Sequence, residues 1–395
     1  MVGAEVMDRS TRGQDGTALP RVRVGIVGFG VIAQVMHGPY LRELHDRFEV
    51  VAVCDVAPEA LDFAGRLFPS VRCHARWEDL LQEPLDAVMV LTAGSHAPVA
   101  VAAAEAGLHV FVEKPMCFSV AEGEDMVAAA ERAGVVLMVG YMKRYDPAYE
   151  ELERTLDRGE VTFARVTTLE SPFAVYARHH PRAAAASIDP ALLAGLVAED
   201  ERRLDAALGP ADPTTRRAYR TVLLDSMIHE LNGLRGLLGE PTVLHAVRIA
   251  EEAASVVATM DFGPVAAAFL WIDLPGVARY EADWSLYGPD RRASLVFPSP
   301  LLRSQPTRLV LEGGDPGGVS SWRTDHTVSY EEAFKRELLE LHAAISEGRA
   351  ARTDGLDGLR DVALSRAIVR CHAEGRPVEA PSEPPRRSAV EPAPA

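Results

Sequence analysis

Residues 21–33 read RVRVGIVGFGVIA. A short apolar, β-branched run that ends in glycine reads as a buried strand, and the residues after it read as the start of a helix. Between them lies Gly28-x-Gly30-x-x-Ala33. Gly28 suits the tight strand-to-helix turn, Gly30 lets a pyrophosphate approach the backbone, and Ala33 permits close helix–strand packing. Val31 and Ile32 place their backbone N–H groups at the helix N-terminus, where the dipole is positive. Such glycine turns are common alone. At the first strand–helix junction the turn decides the fold.

Working outward, FEVVAVCD, DAVMVL, HVFVEKP and VVLMVGY read as further buried strands, with helices near 31–47, 57–67, 97–106 and 121–133. Strand and helix alternating at this spacing imply a doubly wound α/β domain with a parallel sheet over residues 21–145. The second strand ends in Asp55, 22 residues after Ala33. A carboxylate there accepts ribose hydroxyls and repels a 2′-phosphate, and Val56 comes next instead of Ser or Arg, so NAD is favoured over NADP. The alternative is a strand-end Asp that only caps the next helix.

After about residue 150 the pattern changes. VTFARVTTLE, TVLHAVRIA, ASVVATMDF, VAAAFLWIDL, EADWSLYG and RASLVFP succeed one another with turn signals between them. They imply an α+β domain over 146–378 with a mostly antiparallel open sheet. A long helical insert spans 172–221. Asp189-Pro190 with Gly209, and Asp212-Pro213 with Gly239, punctuate two helices. Residues 1–20 and 379–395 are rich in Pro, Ser, Gly and charge and read as disordered tails.

Lys plus Arg number 41 against 57 Asp plus Glu, a formal charge of −16. Such a surface repels phosphate backbones and anionic lipid, so no nucleic-acid or membrane partner is expected. The four cysteines are scattered without a CxxC pair, which argues against a metal site and for a reducing, cytoplasmic setting. Residues 1–20 hold no apolar core of a signal peptide.

Only Lys114, Lys143 and Lys335 are lysines in a chain that otherwise uses arginine. Lys114 comes after Glu113 at the end of a parallel strand, where ligands bind in such sheets. A compact ammonium there can donate to a substrate hydroxyl, or it can simply pair with Glu113 in solvent. The second constellation is Asp225-Ser-Met-Ile-His229-Glu-Leu-Asn232, whose spacings of four and three place the three polar residues on one helix face. A histidine near a carboxylate can serve as general base, or be a structural histidine bonded to a helix neighbour.

As a set, GFGVIA, Asp55, DAVMVLTAGSH, AGLHVFVEKP, GYMKRYDPAY, DSMIHELNGLRGLLGEP and AISEGRAARTDGLDGLRDVALSRAIVRCHAEGRPV resemble the Gfo/Idh/MocA oxidoreductases. The likeness runs in order from about residue 21 to 378. It implies a Rossmann domain and then an α+β domain, with a homo-oligomer (dimer or tetramer) formed through the second sheet. It also implies an NAD-dependent enzyme acting on a CH–OH group of a sugar, aminosugar, cyclitol or sugar conjugate. Carried onto this chain, Lys114 is the catalytic and substrate-binding lysine, Glu113 contacts the cofactor, His229 is the base and Asp225 the acid that orients it. Thr92 and His96 line the nicotinamide, Tyr141, Arg144 and Asn232 touch substrate, and Pro115 is preceded by a cis bond. No metal is required. The family also contains NAD-dependent glycosidases, and a catalytically silent NAD-binding regulator is a third reading.

This chain departs from the pattern in three places. Asn232 stands where the family often has Asp. The loop Thr92-Ala-Gly-Ser-His96 is short and lacks its proline. The insert 172–221 is long and carries Tyr176, Arg178, His179 and His180, which either belong to an ordinary solvated loop or fold over the site.

Overall fold

The structure is a computed structural model that describes residues 21–183, 187–315 and 317–381. Of the expected tails, residues 1–20 and 382–395 lie outside the described residues. Among the described residues the strands form one sheet of six and one of nine.

The first sheet contains β1 (Val22–Val27), β2 (Phe48–Cys54), β3 (Arg72–His74), β4 (Ala87–Val90), β5 (His109–Glu113) and β6 (Leu137–Gly140). Its order is β3-β2-β1-β4-β5-β6, and every pairing is parallel. That order reverses between β1 and β4, and the crevice at their carboxyl ends is where such sheets bind ligands. The central strands are buried almost to zero on both faces, as their unbroken apolar runs require. β3 escapes the sequence reading because Arg-Cys-His carries no apolar pattern; it is a partly exposed edge.

The chain from α1 (Gly38–Glu43) through α2 (Pro58–Leu67), α3 (Trp77–Leu80), α4 (Ala97–Glu105) and α5 (Val120–Ala133) supplies the crossovers. Gly28 adopts φ +88°, and a Cβ added there would lie 2.6 Å from the backbone N of Thr92. The glycine thus lets the β1 turn touch the loop after β4.

The second sheet has the order β14-β13-β12-β11-β7-β10-β9-β8-β15. Its strands are β7 (Phe163–Glu170), β8 (Val243–Ile249), β9 (Ser255–Phe262), β10 (Val265–Asp273), β11 (Glu281–Tyr287), β12 (Arg291–Phe297), β13 (Arg308–Gly314), β14 (Ser321–Thr327) and β15 (Val378–Glu379). Only β7 and β10 pair in parallel; the other neighbours are antiparallel. β15 takes Glu379 out of the expected tail and pairs it with Val243.

The remaining helices are α6 (Pro147–Thr155), α7 (Phe173–Ala177), α8 (Pro190–Leu208), α9 (Pro213–Arg217), α10 (Ile228–Leu238), α11 (Ala333–Glu347) and α12 (Gly355–Glu374). Asp189 caps α8 through the N–H groups of Ala191 and Leu192, and Asp212 caps α9 through Thr215. α10 lies directly on the sheet: a Cβ at Gly233 would meet Trp284 at 2.2 Å. The C-terminal helices return to the first sheet, where Thr353 bonds Val139 through backbone and side chain.

Gly28→Ala combines a left-handed backbone with a backbone clash, each of a kind that costs about 1–3 kcal/mol. A urea denaturation should show a loss of at least about 2 kcal/mol; an unchanged midpoint would contradict this account of the turn.

Candidate active site

The carboxyl edge of the first sheet gathers the expected cofactor residues. Gly30 has open space where a side chain would sit, as a cradle for a pyrophosphate needs. Asp55 is half-buried and accepts the N–H groups of Phe29 (2.6 Å) and Ala57 (2.8 Å), which ties the end of β2 to the glycine turn. Each carboxylate oxygen has a second lone pair left for a ribose hydroxyl. Val31 and Ile32 are half-exposed at the same turn. His96 is fully buried and bonds the carbonyl of Thr92 at 2.7 Å, so it closes the short loop on itself. Burial pushes its imidazole below the ordinary histidine value.

Glu113 ends β5 in a buried pair with His37 Nε2 at 2.7 Å and also accepts the N–H of Lys114. The Lys114–Pro115 peptide is cis. Lys114 Nζ reaches across to the chain just before α10, where it donates to the carbonyl of Asp225 (2.8 Å) and to its Oδ1 (2.6 Å). Burial works against its charge, but Asp225 and Glu113 outweigh that and hold the ammonium above its ordinary pKa.

The expectation that Asp225, His229 and Asn232 share one helix face needs correction. Residues Ala218–Leu223 form a π-helix, and Leu224 and Met227 donate to carbonyls five residues back. Residues 224–227 are a turn, and α10 begins only at Ile228. Asp225 is therefore swung out of the row and holds Lys114 instead of the imidazole. His229 packs edge-on against the ring of Tyr141, with centroids 6.3 Å apart. Burial first, then the ammonium groups of Lys114 and Lys143, push its pKa well below the ordinary histidine value. Near neutral pH it is an uncharged imidazole, the form a base needs.

Arg144 and Asn232 also differ from expectation. Both are buried in a network of the protein's own making. Asn232 Nδ2 donates to Asp357 and Asp361, at 2.7 Å each, and its Oδ1 accepts from Arg144. Arg235 binds the same two carboxylates. Tyr141 is buried beside Asp361 and Asp357, under His229. These residues support the base from behind.

The sequence reading missed a second charged group. Lys143 and Glu230, both nearly fully buried, pair at 2.5 Å. Lys143 also reaches Tyr280 Oη at 3.2 Å and lies over the rings of Trp284 and Phe297. Burial pushes the Tyr280 phenol up to about 12. The rarity of lysine was the available signal for Lys143. Among the described residues no group of three or more His, Cys, Asp or Glu is placed to hold a metal ion.

Residues 22–141 match the family model described as "Oxidoreductase family, NAD-binding Rossmann fold" of the Gfo/Idh/MocA group. Over those residues the chain is similar to the Gfo/Idh/MocA oxidoreductases. It is 32% identical to the inositol 2-dehydrogenase of Salmonella typhimurium over 166 residues, which is 40% of this chain and 46% of that protein, so the match spans less than half of that relative's length. It is 28% identical to inositol 2-dehydrogenase 1 of Saccharopolyspora erythraea over 91% of this chain and 96% of that one. A levoglucosan dehydrogenase solved with NADH has the same fold, with a TM-score of 0.71 at 19% identity, over 92% of this chain and 100% of that one.

The 172–221 insert crosses the carboxyl edge of the first sheet. The N–H of Ala183 bonds Gln34 beside the glycine turn (2.7 Å), and the N–H of Ser187 bonds Glu59 beyond Asp55 (3.0 Å). Asp200 packs against Gly94, Arg203 pairs with Glu122 at 2.9 Å, and Arg220 pairs with Asp200. Of the four residues singled out there, Tyr176 accepts the N–H of Tyr280, His180 bonds the carbonyl of Leu301, and Arg178 and His179 are exposed. No helix among the described residues is long and apolar enough to cross a membrane.

Asn232→Asp would put a third carboxylate against Asp357 and Asp361 and remove both amide donors. The variant should lose about 2–4 kcal/mol in chemical denaturation. Stability equal to the parent would refute a supporting role for Asn232.

Proposed function

We propose that the protein is an NAD(H)-dependent dehydrogenase or reductase acting on a secondary alcohol or ketone of a sugar, aminosugar, cyclitol or sugar conjugate. The observation that carries this reading is the Lys114 ammonium, fixed by Asp225 at the end of β5, close enough to the neutral His229 to lower its pKa. Gly28, Gly30, Val31, Ile32 and Asp55 would hold the dinucleotide along the edge described above, with the Thr92–His96 loop and Glu113 towards the nicotinamide. Bound there, the nicotinamide supplies the hydride acceptor or donor.

The chain's own residues then have separable tasks. His229 removes the proton of the substrate hydroxyl, and Lys114 donates to the same oxygen and stabilises its developing negative charge. Asp225 positions the ammonium. Tyr141 and the Asn232 network fix the imidazole ring from behind. The insert excludes water along the cofactor edge.

A panel of sugars, aminosugars, cyclitols and sugar nucleotides, monitored by NADH absorbance, tests the assignment. Lys114→Ala and His229→Ala should each lower kcat/KM about 10²- to 10⁴-fold. A turned-over substrate with full kcat/KM in both variants would contradict these roles. Asp55→Ala should reduce the preference for NAD⁺ over NADP⁺ at least about tenfold; an unchanged ratio would refute the assignment of Asp55 to the ribose.

A further inference from the structure

Along β7 the side chains of Ala164, Val166 and Thr168 are buried, and the period of two carries the same row on to Glu170 at the strand's last position. A core-facing row that ends in a carboxylate is unusual, because burying an ionised group costs free energy unless a partner offsets it. Trp271 Nε1 donates to Ser226 Oγ at 2.9 Å, and Ser226 Oγ donates to Glu170 Oε2 at 2.9 Å. Ser226 adjoins Asp225, the residue that holds Lys114. This relay fixes one carboxylate oxygen. The other, Oε1, accepts among the described residues only a long 3.4 Å bond from the N–H of Ser171. A carboxylate offers about four acceptor positions, so Oε1 is largely unspent.

The neighbouring charges do not spend it either. Lys114 is paired with Asp225 and Lys143 with Glu230, and among the described residues Glu170 has no ion-pair partner of its own. It is nevertheless close enough to raise the pKa of Lys114 and to feel Glu230 and Lys143. Two ammonium groups face the three carboxylates of Asp225, Glu230 and Glu170, and His229 is neutral. Of these three carboxylates, Glu170 is the one with no ammonium bonded to it.

We propose that Glu170 is a substrate-recognition residue: it accepts a hydroxyl or ammonium group of the bound molecule and turns away molecules that present a carboxylate or phosphate at that point. The inference rests on the proposed dehydrogenase reading and narrows its substrate class to neutral polyols and amino-polyols. It assigns Glu170 no proton transfer.

The test is Glu170→Gln, which keeps an acceptor for Ser226 and the side-chain shape, compared with the parent on matched pairs of a polyol and its uronate. The variant should raise KM for the polyol at least about tenfold while kcat stays within about threefold, and the polyol-to-uronate ratio of kcat/KM should narrow at least about tenfold. Melting temperature and NAD⁺ affinity should match the parent. An unchanged KM and ratio, or a loss confined to kcat, would overturn the role of Glu170 while leaving the dehydrogenase reading standing. If the parent turns over no member of the panel, calorimetric titration of the NADH-loaded protein with the same pairs decides. A polyol preference in Kd that Glu170→Gln abolishes supports the inference; a parent that binds the uronates as well as or better than the polyols overturns it and leaves the dehydrogenase reading standing, and a parent that binds no sugar, aminosugar, cyclitol or sugar conjugate overturns both.

Discussion

The bond between the Lys114 ammonium and Asp225 is the constraint on which the site depends. It joins the carboxyl end of β5 to the turn before α10, and so fixes the distance between the sheet that would carry the cofactor and the helix that carries His229. It also sets the electrostatics. A carboxylate bonded to the imidazole would favour its charged form and raise its pKa, whereas a nearby ammonium does the reverse. Because Asp225 binds the lysine, His229 experiences burial and two positive neighbours with no compensating acid bonded to it. The arrangement yields a neutral base and a charged donor side by side.

Each member of that pair is held by buried groups. Glu113 and His37 lie beneath Lys114, and Tyr141 lies beneath His229, backed by Asn232, Arg235, Asp357 and Asp361. Polar networks of this kind are rigid when every partner is satisfied, and costly when one is removed. Asn232 illustrates the point. Its amide is the neutral donor that lets two carboxylates sit together, which gives a physical reason for amide in place of acid at this position.

The fold was legible where its pattern is apolar. The RVRVGIVGFGVIA turn, the parallel strands and the change of rhythm after residue 150 all correspond to elements of the structure. β3, β13, β14 and β15 were not read: edge strands such as Arg72–His74 and Ser321–Thr327 are polar and short or exposed, and Arg308–Gly314 ends in two glycines. At the site, Lys114 and His229 could be singled out from type and spacing. The partner of Asp225 could not, since an i,i+4 reading assumes an unbroken α-helix and a π segment shifts the register by one residue. Lys143 and Glu230 meet across 87 residues of sequence, and Glu170 joins them only through tertiary packing, which no local pattern encodes.

The central claim is that burial and the Lys114 ammonium together keep His229 uncharged. Nitrogen-15 NMR of the His229 ring across a pH titration measures this directly, in the parent and in Lys114→Met. The parent should titrate below the ordinary histidine value of about 6.5, and the variant should titrate higher. A His229 that titrates at or above the ordinary value in the parent, unmoved by loss of the ammonium, would contradict the account.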